Sequence, residues 1–325
     1  MHIKDTREFT LLQIDQDFVD ALESKLSNSR LNAYRAYFTC KNDAEVIGAY
    51  QWNKAIATAF FPLLQAAEIT LRNSIHNSAT SKFSGNREWY LMNKFPKAKS
   101  KAVKLYKKRD NTWLSPRPSP NSVVSQLTFG FWVNMLTNNY NDSVNNTKLW
   151  PCLIPIAFPN ASGSQATRAY IHRRFNFIKD FRNRVGHYEP LWKIRDTING
   201  GGIKSRNCPT TPAESIARLQ EYIDLILEAI KWMSKERHDF IVGIGLEEHV
   251  RTLCTETALK HYQGIENNPI RMNKLIKELS KRRSSAGTIS GFYEVKTSSK
   301  GAFKGDRLIL DIKHLRPPKF VNQLI

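Results

Sequence analysis

Cysteine is scarce in this chain: four residues among 325, with no CxxC pair. Structural zinc sites draw their ligands in closely spaced pairs, so no metal site is expected. Acidic residues are also few. Asp and Glu number 29 against 49 Lys and Arg, a net charge of +20. Long apolar runs are missing. The longest uncharged one, residues 55–67, contains Pro62, and a spanning helix needs about 20 apolar residues. The start, Met1-His2-Ile3-Lys4-Asp5, lacks the apolar stretch of a signal peptide. No P-loop, zincin, nucleophile-elbow or dinucleotide-binding signature occurs. These absences speak against a membrane partner and the common cofactor and metal enzymes. The expectation is a cytoplasmic protein with no cofactor.

What is present suffices for a folded body. Hydrophobic residues make up 41% and aromatics 11%, enough for an ordinary core, and the length suits one large domain or two. Folding needs no charge of +20. That excess points to a polyanion, and with the membrane set aside, to nucleic acid.

The patterning is mainly helical. Trp52, Ile56, Phe60, Leu63, Leu64, Ala67, Leu71 and Ile75 recur at three-and-four spacing, one buried stripe of a long helix. Pro62 is expected to kink it or mark its first turn. Thr167 to Val185 carries Ile171, Phe175, Ile178 and Val185 in register. Thr211-Pro212-Ala213-Glu214 announces a third helix by its capping box. Ser125 to Leu136 reads as one fully buried helix, Trp150 to Pro159 as a loop, and the glycines after Asn199 as a turn. Beyond about residue 250 the chain changes character. Met272 to Arg283 reads as a short basic helix and 284–290 as a linker. Phe292–Thr297 and Leu308–Lys313 alternate like the strands of a hairpin. The resulting division is a helical domain over 1–245 and a basic extension over 246–325.

The segment Phe181-Arg182-Asn183-Arg184-Val185-Gly186-His187-Tyr188-Glu189-Pro190 carries the chemistry. Arg182 falls on the buried stripe, four after Ile178 and three before Val185. It therefore needs a carboxylate or a ligand anion. His187 is five residues on, about 140° around an ideal helix, and shares a face with Asn183. Arg182 and His187 converge only where the helix loosens, and Gly186 and Pro190 offer that. Together they suit phosphodiester chemistry on RNA: a proton shuttle, a charge stabiliser, and a nucleophile supplied by the 2′-hydroxyl. The plainer alternative is a salt-bridged core arginine and a helix-terminal histidine.

A second constellation is Glu68, Arg72, Asn73 and His76. The spacing of Glu68 and Arg72 suits an ion pair. The pair is an internal salt bridge beside the core stripe, or Glu68 positions an arginine of the site, or Arg72 touches RNA; the first is favoured. Basic residues cluster at Lys94, Lys97, Lys99, Lys101, Lys104, Lys107, Lys108 and Arg109, with Tyr106 among them. Arg168, Arg173, Arg174, Lys179 and Arg184 surround the motif, and a third group runs from Arg271 to Arg283. Such runs are solvated faces or phosphate-tracking surfaces; three in one basic chain favour the latter.

The Arg-x4-His segment resembles the ribonuclease motif of HEPN domains. More narrowly, the chain resembles the Abi-like abortive-infection proteins of bacteria, the AbiD/AbiF group. Glu68-Ile69-Thr70-Leu71-Arg72-Asn73, Trp89-Tyr90 and Leu127-Thr128-Phe129-Gly130-Phe131-Trp132 support this in the same order, over roughly residues 30–240. The resemblance implies an all-α, HEPN-like helical bundle with a small C-terminal hairpin extension. It implies metal-independent RNA cleavage in phage defence or a toxin–antitoxin system, with Arg182 and His187 catalytic and Asn183 assisting. A homodimer is implied, and a structured small RNA as antitoxin is compatible with it. The alternative is a non-catalytic RNA-binding module that holds such an RNA.

Overall fold

The computed structural model describes residues 20–22, 25–194, 197–199, 202–205, 207–264, 270–271, 273–274, 276–277, 291–296 and 307–312. Helix α1 (Asn28–Tyr37) leads into α2 (Asp43–Lys82), the mast of the fold. Asn42 caps α2 by accepting the Glu45 N–H at 2.9 Å, and Glu45 reaches back to the Lys41 N–H. Every position of its expected stripe, Trp52 through Ile75, is buried. Pro62 sits inside the helix without ending it.

Short helices follow: α3 (Pro96–Val103), α4 (Pro120–Gln126), α5 (Phe129–Asn134) and α6 (Ile154–Ala157). The single helix expected over Ser125–Leu136 is thus two. Leu127 is extended, and the Thr128 side chain accepts the Phe131 N–H to start α5 afresh. The Trp150–Pro159 segment likewise contains one helical turn, with Pro155 in its first turn where its missing N–H costs nothing.

Helix α7 (Arg168–Gly186) packs on α2, α5 and α8 (Pro212–Met233). Thr211 caps α8 as its capping box announces, and Thr167, the expected start of α7, caps that helix. Helices α9 (Lys235–Gly243), α10 (Leu246–Leu253) and α11 (Glu256–Tyr262) complete the all-α body. Val250, Leu253, Cys254, Ala258 and Leu259 join the main core, and the Trp52 indole donates to the Leu253 carbonyl at 2.8 Å. The helical core therefore continues past residue 245.

Two small sheets stand beside this body. Strands β1 (Thr197–Asn199) and β2 (Gly202–Ser205) pair antiparallel; residues 200–201 of the expected glycine turn lie outside the described residues. Strand β3 (Ile270–Arg271) runs parallel to β4 (Gly291–Lys296), which pairs antiparallel with β5 (Arg307–Ile312). The β4–β5 pairing, Gly291 opposite Ile312 through Lys296 opposite Arg307, is the expected C-terminal hairpin. Most of the basic helix expected over Met272–Arg283, and the linker 284–290, lie outside the described residues.

Candidate active site

Helix α7 carries Arg182 to the middle of α2. Its neighbour Phe181 is buried edge-on against Phe60, with ring centroids 4.9 Å apart, which seats this turn. Arg182 itself is half-exposed. Its Nε stands 3.8 Å from Glu68 Oε2. That is an ion-pair distance but too long for a hydrogen bond, so among the described residues the guanidinium keeps its N–H donors for another acceptor. Phe61, Gln65, Glu68, Arg72 and Arg182 line a cleft of about 260 Å³ here. Glu68 pairs with Arg182, not with Arg72 as its spacing suggested. The Arg72 Nε donates instead to Asn73 Oδ1 at 3.3 Å.

The end of α7 is built differently from expectation. Gly186 stays helical, and a Cβ there would meet Arg182 Nη1 at an ordinary 3.7 Å. The turn comes at Tyr188, a non-glycine residue with φ 57°. The Glu189 N–H donates to the Arg184 carbonyl at 3.0 Å and the Tyr188 N–H to that of Val185 at 3.3 Å. This is a Schellman motif with tyrosine in the left-handed position where glycine is usual. His187 is the C-cap, its N–H donating to the Asn183 carbonyl at 2.8 Å. The His187 and Asn183 side chains are exposed. No hydrogen bond or ion pair joins Arg182 to His187 among the described residues. A helix regular through Gly186 keeps the two about 140° apart around its axis, so one chain does not make them converge.

Two side chains fasten the segment after the turn. Arg184 donates to the Pro190 carbonyl at 3.2 Å and pairs with Glu189 at 3.3 Å. Asn53, a buried side chain of α2, accepts the Leu191 N–H at 2.7 Å. Sequence reasoning missed Asn53; its only signal is an amide on the buried side of an apolar stripe.

The expected RNA-binding residues divide. Arg174 is buried, 3% exposed, tied to Glu228 and stacked on Trp232 with its guanidinium 4.6 Å from the ring. It cannot track a phosphate. The spacing argument applied to Arg182 applies equally to Arg174, three after Ile171 and four before Ile178. Arg184 is spent on the backbone, whereas Arg173 is exposed. Along α3 and the turn after it, Lys97, Lys101, Lys104, Lys108 and Arg109 are exposed, while Ala98, Ala102 and Tyr106 face inward. Lys99 and Lys107 are half-buried, Lys99 donating to Asn93 Oδ1 at 2.8 Å. Tyr106 is no surface aromatic. It is buried, donates to Glu88 Oε1 at 2.5 Å, and burial pushes its hydroxyl pKa up.

His76 belongs to the core. It accepts the Trp89 indole N–H at 3.3 Å, and burial, with Arg87 and Arg72 nearby, pushes its pKa down to about 4. Among the described residues no three His, Cys, Asp or Glu side chains gather as metal ligands, and no helix is long and apolar enough to cross a membrane.

Helices α2 and α7 thus bring a carboxylate and one loosely held arginine to the cleft, while an exposed imidazole stands at the end of α7 on another face. No curated protein and no solved structure matches the chain. A family model does, over residues 22–193, more than half of the chain. The match includes both Glu68 and the whole 182–187 segment and ends just after Trp192. The chain belongs to the family of Abi-like proteins, the proteins of abortive infection.

Proposed function

We propose that this protein is a metal-independent endoribonuclease of a bacterial phage-defence or toxin–antitoxin system, working in the cytoplasm with a HEPN-type site. Arg182 holds the scissile phosphodiester, and His187 moves the proton. The RNA 2′-oxygen attacks phosphorus, the bond to the 5′-oxygen breaks, and that oxygen takes up a proton. The products carry a 2′,3′-cyclic phosphate and a 5′-hydroxyl. Asn183, on the His187 face, assists. The carrying observation is Arg182 in the cleft, steered by Glu68 at 3.8 Å yet with donors to spare. A homodimer supplies what one chain lacks, since a second α7 turn can set a histidine opposite Arg182.

The separation of Arg182 and His187 around α7 favours a second reading, a non-catalytic module that holds a structured small RNA on its basic surface. One experiment separates the two. Purified wild type and His187→Ala, washed at high salt, are incubated with end-labelled RNA, with and without EDTA, and the new ends are mapped. Cleavage that survives EDTA and is lost in the variant supports the nuclease. Equal RNA binding with no cleavage by either protein overturns it in favour of the binding module.

A further inference from the structure

The basic surface ends in a turn that displays a tryptophan. Trp113 is 60% exposed, whereas the other six tryptophans of the chain are buried. The turn that carries it is closed by backbone hydrogen bonds. Lys107 and Trp113 form an antiparallel bridge, the Lys108 N–H donates to the Thr112 carbonyl at 2.8 Å, and the Leu114 N–H to that of Tyr106 at 2.8 Å. Asn111 takes the left-handed position, φ 65°. Asp110, the acid within the turn, spends its Oδ1 on the Thr112 N–H at 2.9 Å and the Thr112 hydroxyl at 2.6 Å, and Glu88 below is held by Tyr106 and Arg117. Buried Tyr106 anchors the base of the turn.

The surroundings of Trp113 are cationic rather than apolar. The Lys107 ammonium stands 5.3 Å from the ring centroid, and Lys108 and Arg109 are exposed alongside. An anchor for a protein partner sits in an apolar patch with a polar rim. A lone indole among lysines fits a partner that offers flat π-faces and phosphates together.

We infer that Trp113 is a stacking platform for an unpaired base of single-stranded RNA, with Lys107, Lys108 and Arg109 holding the flanking phosphates. This rests on the reading that the chain handles RNA and adds what that reading lacks, a preference for unpaired over duplex RNA. A base stacked between ring and solvent contributes affinity that phosphate contacts alone do not.

The burial of the other six tryptophans makes Trp113 its own reporter. A short 2′-O-methylated RNA, which cannot be cleaved by 2′-oxygen attack, is titrated into wild type, Trp113→Ala and Trp113→Phe. An abasic oligomer of equal length and charge serves as the control. The expected result is quenching of the red-shifted tryptophan emission by the RNA but not by the abasic oligomer. Trp113→Ala is expected to bind the RNA about tenfold more weakly, with affinity for the abasic oligomer unchanged, and Trp113→Phe to retain most of the difference. Wild type that binds RNA with unaltered emission, or Trp113→Ala that loses affinity equally for both oligomers, overturns the stacking platform and leaves the RNA reading intact. Wild type that binds neither oligomer removes both.

Discussion

Glu68 on α2 and Arg182 on α7 face each other across the cleft, Oε2 to Nε at 3.8 Å. The pair is partly exposed, so it contributes at most about 1 kcal/mol to stability. Its consequence lies in geometry: the carboxylate sets where the guanidinium fork can turn. Glu68→Gln is therefore expected to lower the proposed RNA cleavage about tenfold by misplacing the guanidinium, while Tm stays within about 2 °C. Glu68→Asp should recover part of the loss. A variant that loses Tm but keeps activity refutes the positioning role.

Arg173 and Arg174 are adjacent in sequence and opposite in fate. Arg174→Ala strips a buried cation from Glu228 and Trp232 and is expected to cost about 3 kcal/mol in denaturant unfolding. Arg173→Ala should leave stability unchanged within about 0.5 kcal/mol. If Arg173 touches phosphate, that variant also lowers the salt slope of RNA binding by about one. Equal destabilisation by the two would contradict this division.

His76 makes stability depend on pH. Its pKa of about 4 in the fold lies below the ordinary 6.5. Above 6.5 both folded and unfolded chains hold it neutral. Between 6.5 and 4 only the unfolded chain takes up the proton, so stability falls as pH falls, by up to about 3 kcal/mol. His76→Gln is expected to flatten that part of the unfolding free energy against pH. An unchanged slope in the variant would assign the loss to other groups.

Tyr188 holds φ 57° at 79% exposure. A non-glycine residue pays about 1 kcal/mol there. Tyr188→Gly should raise Tm by about 1–2 °C, and calorimetry reads this directly. A fall in Tm would mean the tyrosine ring makes a stabilising contact.

Gly48 lets α2 pass the end of α11. A Cβ there would stand 2.0 Å from the Tyr262 carbonyl oxygen, a backbone atom with no room to yield. Gly48→Ala is expected to destabilise the protein by about 2 kcal/mol or more despite its better helix propensity. A gain in stability would show that α11 can shift freely.

Much of the body was legible from local pattern. The α2 stripe, the cap Thr211, the start of α7 near Thr167 and the C-terminal hairpin follow from spacing and side-chain chemistry acting within a few residues. The same locality misled at Ser125–Leu136, where apolar content suggested one helix. There the hydroxyl of Thr128 caps a new helix, a bond worth more than continuity. It misled also at Gly186, because glycine permits a turn without requiring one. The hydrogen bonds of the Schellman motif put the turn two residues later, on Tyr188.

The order of amino acids by itself determined the all-α body, the excess of positive charge and the placing of Arg182 and His187 at the end of one helix. These depend on periodicity, composition and short spacing. Only the tertiary structure decided which partner each charge takes. Glu68 and Arg182 are far apart in the chain, as are Arg174 and Glu228, and as are Asn53 and Leu191. Such pairs exist only once α2, α7 and α8 have packed, because burial of their apolar stripes sets the angle and depth at which polar side chains meet. Apolar spacing announces that a stripe will be covered; the covering element settles whether an arginine on it, such as Arg174 or Arg182, is sealed in the core or left facing a cleft.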